Sequence, residues 1–465
     1  MEEYRLSHDS LGDVRVPKDA YWGPQTQRAI ENFPISGLRL PRRFIRAQGI
    51  IKWAAARANS ELGELSPERA AAIMKAADEV ASGLWDAQFV VDVYQAGAGT
   101  SQNMNANEVI AHRAQQMMGG EIGDVSLVHP NDHVNMAQST NDTIHVAIHI
   151  AGAEAIVHDL IPAILRAEET LESKKALWMN IVKSGRTHLQ DAVPMRLGQE
   201  IGGYAGALKY WRQALEDGVS ALYAIGLGGN AVGTGINAHP EYKTRATAYV
   251  AEKTGLPFHQ PDNMFTFIQN MDAILQVSGL VRGLATAVGK LANDLRLLSS
   301  GPRTGIGELK LPSVQPGSSI MPGKVNPVMA EMMNMICYQA IGNDLTIQQA
   351  VAGAQLELNV MMPVVAYNLL QAIHIMANGL DAFNDRALKG LEANVEKITS
   401  YVEMNTALAT ALNPYIGYDK AAIVAKTAFQ EGKTVRQVVS EQHLLDAKTL
   451  DEALDLERIT KPQEP

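Results

Sequence analysis

The chain has 465 residues, of which 46% are hydrophobic and 19% charged, and its formal net charge is −10. That length accommodates about two or three domains, and the sparse charge leaves room for surface buried by partner subunits. The negative balance, without any Lys/Arg run, argues against nucleic acid and anionic membrane as partners. A single cysteine, Cys337, rules out an intramolecular disulfide and suits a reducing cytoplasm.

The N-terminal stretch "MEEYRLSHDS" is acidic and polar, unlike a signal or transit peptide. Gly12, Pro17, Gly23, Pro24, Pro34 and Gly37 punctuate the first forty residues, so these read as loop with short strands at most. Helical periodicity begins near Arg42. Long apolar-periodic segments are expected over about 141–178, 195–223, 264–298, 327–351 and 360–388, longer than common globular helices. Arg282 and Lys290 interrupt the most apolar of them, which makes it a core helix rather than a membrane span. Beyond about 391 the helices shorten. The expectation is an all-α long-helix bundle with an N-terminal domain over 1–140, a central domain over 141–390 and a small helical C-terminal domain over 391–465.

Four polar, glycine-punctuated islands break the helical pattern: "QAGAGTSQNMNANE" (95–108), "HPNDHVNMAQSTND" (129–142), "SGRTHLQDAVP" (184–194) and "LPSVQPGSSIMPGKVN" (311–326). Each taken alone is a turn plus a helix cap, since Ser, Thr, Asn and Asp favour both. Together they supply neutral donors, a few His, an Arg and a Lys, the inventory for holding a small dianion in a water-poor pocket. Two other features have blander readings. "GLGGNAVGTG" (226–235) partly mimics a dinucleotide fingerprint but lacks the preceding strand and βαβ context. His145 and His149 have i, i+4 spacing but no glutamate between them and no third ligand at fixed spacing, so they read as a satisfied pair and no metal is expected.

Taken together, these islands resemble those of the fumarase/aspartase superfamily over nearly the whole chain, with "GSSIMPGKVNP" matching its signature. The resemblance implies a homotetramer with a twenty-helix core and active sites assembled from three subunits. It also implies reversible anti-elimination from a C4 dicarboxylate to give fumarate, with no cofactor. "GAGTSQNMNANE", "QSTND" and "AQLELNVM" look like the aspartate ammonia-lyase branch. "YWGPQTQRAIENFPISG" and "LNPYIGYDKAA" look as much like class II fumarases. Weighing pocket wording above the periphery, deamination of L-aspartate is the expected activity, with malate–fumarate interconversion as the alternative. An N-substituted aspartate substrate and an inactive helical scaffold fit the islands less well.

By the same resemblance, Thr100, Ser139, Thr140 and Ser319 match residues around the carboxylate beside the departing proton, and Ser101 is a further substrate-binding residue. Thr187, His188, Lys324 and Asn326 match the grip on the other carboxylate, and Asn141 matches a contact to the leaving group. Ser318 matches the proposed general base, with His188 and Lys324 as further catalytic groups. Glu331 matches an acidic partner of His188. His129, Asn131 and Asp132 match a possible second dicarboxylate site, although "HPND" is also a good turn sequence. Asn230, His145 and Met362 depart from the family pattern.

Overall fold

A computed structural model describes residues 3–461. The chain opens with an antiparallel hairpin, β1 (Tyr4–Asp9) and β2 (Gly12–Pro17), whose inner face buries Val14, Val16 and Ala20. Helices α1 (Pro24–Asn32), α2 (Arg42–Glu61), α3 (Pro67–Ser82) and α4 (Thr100–Met117) follow. Helix α1 falls in the stretch expected to be loop. Its N-cap is Gly23, which has no side chain to cap with. The buried Glu108 carboxylate, from the first island, accepts instead from the backbone N–H groups of Gly23, Gln25 and Thr26 at 2.8, 2.9 and 3.1 Å. A cap supplied from another helix leaves no local signal.

Helices α5 (Thr140–Ala155) and α6 (Ile161–Leu177) run on through a π-turn at Ile156–Leu160. This 38-residue run is long and apolar enough to cross a membrane, but 67% of its most apolar window is buried inside the chain, as in a core helix. A second hairpin, β3 (Val182–Thr187) and β4 (Gln190–Arg196), leads into α7 (Leu197–Gly218) and then α8 (Tyr242–Thr254). The segment expected as one helix from Met264 is two, α9 (Met264–Gln269) and α10 (Asp272–Leu298). Asn270 is extended at the break, and its carbonyl bonds the His145 ring at 3.0 Å. After β5 (Leu309–Lys310) come α11 (Val328–Ala352) and α12 (Met362–Phe383). Strand β6 (Glu392–Ala393), which pairs with β5, and α13 (Val395–Met404) then lead to the short helices α14 (Asn413–Ile416), α15 (Tyr418–Glu431), α16 (Val435–Glu441), α17 (Ala447–Ala453) and α18 (Leu456–Ile459). The all-α class is as expected, and the three sheets among the described residues are two-stranded.

Two compact units divide the chain. The first comprises 1–162, 211–286 and 336–378, and the second 163–210, 287–335 and 379–465. In the first, α2 packs on α3, α5 and α8. In the second, the terminal helices enclose their own core of Leu412, Val424, Val435, Val438 and Val439.

His145 and His149 are both fully buried on α5, with ring centroids 5.0 Å apart and Phe267 against each. Each ring bonds one backbone carbonyl, of Asn270 and Leu222 respectively, which suits the neutral form. Burial pushes their pKa values down to about 4 and about 3. The unfolded chain takes up these protons below about pH 6.5 whereas the fold does not, so stability is lost as pH falls from there toward 4. We expect the thermal midpoint to drop over that window, and to drop less steeply in His145→Gln/His149→Gln, as scanning calorimetry at fixed protein concentration would show.

Candidate active site

The first two islands converge in the first unit. Thr100 opens α4 and is exposed, while Ser101 beside it is buried. The turn before them needs positive φ at Gly99 (+80°) and also at Ala98 (+60°). Ser139 caps α5, and Asp142 completes a capping box by accepting from Ser139 N at 2.9 Å. Asn103, one turn along α4 from Thr100, donates to Thr140 Oγ1 at 3.2 Å and so ties the two islands together. The glycine-rich 226–235 segment follows no strand of a βαβ unit. It cradles a carboxylate of this chain instead: Gly228 N and Asn230 N both donate to Asp142 Oδ2 at 3.0 Å. Burial pushes the Asp142 pKa up to about 6 against those amide bonds. Asn141 donates to Ala231 O at 2.8 Å, which orients its amide.

The 129–135 stretch forms a π-turn in which His129 Nδ1 accepts from Asp132 N at 3.1 Å. Asn131 and Asp132 are exposed, and His129 is half-buried. The turn reading of "HPND" therefore accounts for one nitrogen of His129 without any ligand.

In the second unit, Thr187 and His188 lie at the tip of the β3–β4 hairpin. His188 (φ +56°) and Leu189 (φ +58°) form its two-residue loop, and both are left-handed. Such loops prefer Asn-Gly or Gly-Gly, so two non-glycine residues there store strain, as functional sites often do. The hairpin is tied down by charge: Glu308, fully buried, meets Lys183 Nζ at 2.9 Å and Arg186 Nη1 at 2.8 Å, and Lys183 also meets Glu200 at 2.6 Å. Glu308 directly precedes β5 and the loop carrying the fourth island.

That loop closes on itself. Gly317 N donates to Lys324 O at 3.0 Å, and Asn326 Nδ2 donates to Gly317 O at 2.6 Å. Ser318 Oγ accepts two backbone N–H groups, from Ile320 at 3.2 Å and Met321 at 2.9 Å. Ser318 and Lys324 both line a hollow of about 490 Å³ within the loop. Among the described residues no hydrogen bond joins Ser318, Ser319, Lys324 or Asn326 to Thr187 or His188, and no ion pair joins His188 to Glu331. A Cβ on Gly317 would stand 2.3 Å from Lys324 O and 2.8 Å from Asn326 N, too close to keep the closure. Gly317→Ala is therefore expected to lower kcat/KM by about a hundredfold with an unchanged thermal midpoint, since the displaced groups sit on an exposed loop. Steady-state kinetics and calorimetry on the same sample test this.

Lys52, Asn103 and Glu308 are structural centres of these islands that residue-by-residue reading passed over. Lys52 did leave a trace, as a lone cation in the apolar run "GIIKWAAA". Glu308, in "GIGEL", left none.

The family model described as "Lyase" matches residues 12–342, and that described as "Fumarase C C-terminus" matches 408–461. The chain belongs to the fumarase/aspartase lyase superfamily. Within it, the chain is 51% identical to the class II fumarate hydratase of Halobacterium salinarum, over 99% of this chain and 97% of that one. It is 49% identical to that of Neisseria meningitidis, over 96% and 97%. The solved class II fumarase of Schistosoma mansoni superposes with a TM-score of 0.96 at 36% identity, covering 99% of this chain and 100% of that one.

These relatives overturn the expected deamination of L-aspartate, and with it the placement in the aspartate ammonia-lyase branch. The pocket wording misled for a physical reason. Thr140 presents a hydroxyl as a Ser would, and Ala98 is a buried turn residue. Neither change bears on which group leaves.

Proposed function

We propose that the chain is a class II fumarate hydratase, a carbon–oxygen lyase that interconverts L-malate and fumarate by reversible anti-elimination of water. Relatives bearing that name, at 44–51% identity over nearly the full length, carry the choice of leaving group. Ser318 supports the residue-level reading. A serine hydroxyl is far too weak a base unless its oxyanion is stabilised, and two loop amides already point at its Oγ. Ser318 takes the proton beside one carboxylate, and negative charge builds on that carboxylate as an aci-carboxylate. Hydroxyls of Thr100, Ser139, Thr140 and Ser319 bond it more strongly as charge grows, with Ser101 also binding substrate. Thr187, His188, Lys324 and Asn326 hold the other carboxylate, with Glu331 as an acidic partner of His188 that another subunit would supply. Asn141 contacts the departing hydroxyl, which takes a proton from solvent to leave as water, a step that a departing ammonium would not need. His129, Asn131 and Asp132 would form a second, peripheral dicarboxylate site.

Self-association to a homotetramer is part of this reading, because the islands lie on separate elements. Helix α11 supports it: Met335, Tyr338, Ile341 and Leu345 make an apolar stripe that is 65%, 60%, 37% and 57% exposed in the single chain. A cytoplasmic location fits the lone, buried Cys337, whose thiol pKa burial pushes up to about 12.

The test is direct. Purified protein should release fumarate from L-malate and add water to fumarate, with little turnover of L-aspartate. Absence of malate turnover would refute the reading.

A further inference from the structure

Lys52 lies in the middle of α2, only 1% exposed, between Ile51 and Trp53. A buried ammonium is costly without an ion pair, and among the described residues no carboxylate lies within ion-pair distance of it. What surrounds its Nζ are three side-chain amide oxygens: Asn103 Oδ1 at 2.9 Å, Asn135 Oδ1 at 3.0 Å and Gln138 Oε1 at 2.9 Å. These come from α4 and from the stretch leading into Ser139, so the one ammonium joins the first two islands.

An ammonium has three N–H donors and no lone pair. It therefore imposes a polarity: each amide must turn its oxygen toward Lys52 and its NH2 away. The NH2 of Gln138 goes to Val134 O and Met136 O at 3.0 and 3.2 Å, and that of Asn135 to Gln138 O at 3.2 Å, which shapes the turn before Ser139. The NH2 of Asn103 goes to Thr140 Oγ1 and to Asn135 Oδ1, both at 3.2 Å. Thr140 is thus an acceptor on its protein side, and its own proton is left for another partner.

We propose that Lys52 is a positioning residue for the dicarboxylate site: by setting the donor–acceptor direction of Asn103, it aims the Thr140 hydroxyl proton at the substrate carboxylate. The proposal rests on the fumarate–malate reading above.

The alternative state is chemically defined. Neutral Lys52 has two N–H groups and a lone pair, so one amide must reverse. If Asn103 reverses, its oxygen faces Thr140 and takes the hydroxyl proton, and the site loses a donor. Burial holds the Lys52 pKa down to about 7, opposed by the charge of Asp142 on α5, the only charged side chain acting on it among the described residues. The α4 and 135–138 partners are uncharged amides. Dicarboxylate affinity should therefore weaken as pH rises through the Lys52 pKa, which bound dianion moves upward.

Two variants test this, read by calorimetric titration with succinate, a C4 dicarboxylate that cannot eliminate water, and by malate kinetics from pH 6 to 9. Lys52→Met removes all three donors. Asn103→Asp gives Lys52 a carboxylate partner, which keeps the buried charge satisfied, but removes the NH2 that directs Thr140. For Asn103→Asp we expect succinate binding and malate KM to weaken at least about tenfold, the scale of one charge-assisted hydrogen bond, in a variant that still folds, since the new ion pair to Lys52 offsets the lost bond to Asn135 Oδ1. For Lys52→Met the rise of KM with pH should also flatten. Wild-type succinate affinity in a folded Asn103→Asp variant would overturn the proposal, and so would wild-type protein that does not bind succinate. Failure of wild type to turn over malate while succinate still binds would instead sink the fumarate hydratase reading, leaving the succinate comparison to decide the role of Lys52.

Discussion

Replacing Ser318 with alanine is expected to slow malate dehydration and fumarate hydration alike by at least about a hundredfold, the low end for losing a general base. The proton to be removed is only weakly acidic, so the base must be strong, and a hydroxyl becomes strong only as its oxyanion. Ile320 N and Met321 N donate to Oγ at 3.2 and 2.9 Å, and such bonds roughly double in strength when the acceptor is ionised. The loop also carries Lys324, a full positive charge on the rim of the same hollow. Stability should stay within about 0.5 kcal/mol of wild type, because Ile320 and Met321 are exposed and their amides can turn to water. Fumarate absorbance followed in both directions measures the rate, and near-normal turnover by the alanine variant would refute the base assignment.

Glu308→Gln is expected to cost about 3 kcal/mol or more of stability, the lower range for breaking a buried ion pair from one side. Glu308 is fully buried between Lys183 and Arg186, and the glutamine would leave Arg186 without a carboxylate and Lys183 with Glu200 alone. The same change should reach the site. Arg186 directly precedes Thr187, and the left-handed His188–Leu189 loop holds its strained shape only while the strands behind it are fixed. Malate KM should therefore rise together with the fall in denaturation midpoint. Urea titration and kinetics on one preparation check both, and wild-type values for both would mean that the ion pairs merely break even with their desolvation.

The gain from the tertiary structure is clearest where charge is buried. The sequence alone was enough to mark the four islands, because clusters of Ser, Asn, Gly and Pro cannot continue an apolar helix and so announce loops and caps. Helix extents followed from 3.6-residue periodicity, except at Asn270, where the chain breaks to pair its carbonyl with a histidine far away in sequence, and at α1, whose cap is Glu108. "GSSIMPGKVNP" was legible as a signature, but the two amides on Ser318 Oγ were not, since hydrogen bonds inside a loop depend on its turn geometry.

The sequence by itself determined the all-α class, the superfamily and the residue types available to grip a dicarboxylate. It ranked aspartate above malate, and the full-length relatives reverse that order. Only the tertiary structure decided which groups hold those residues in place: Asp142 under the glycine-rich turn, Glu308 behind the His188 hairpin and Lys52 between two islands. Each is an ionisable side chain taken out of water, and such a group is tolerable only where partners distant in sequence converge on it.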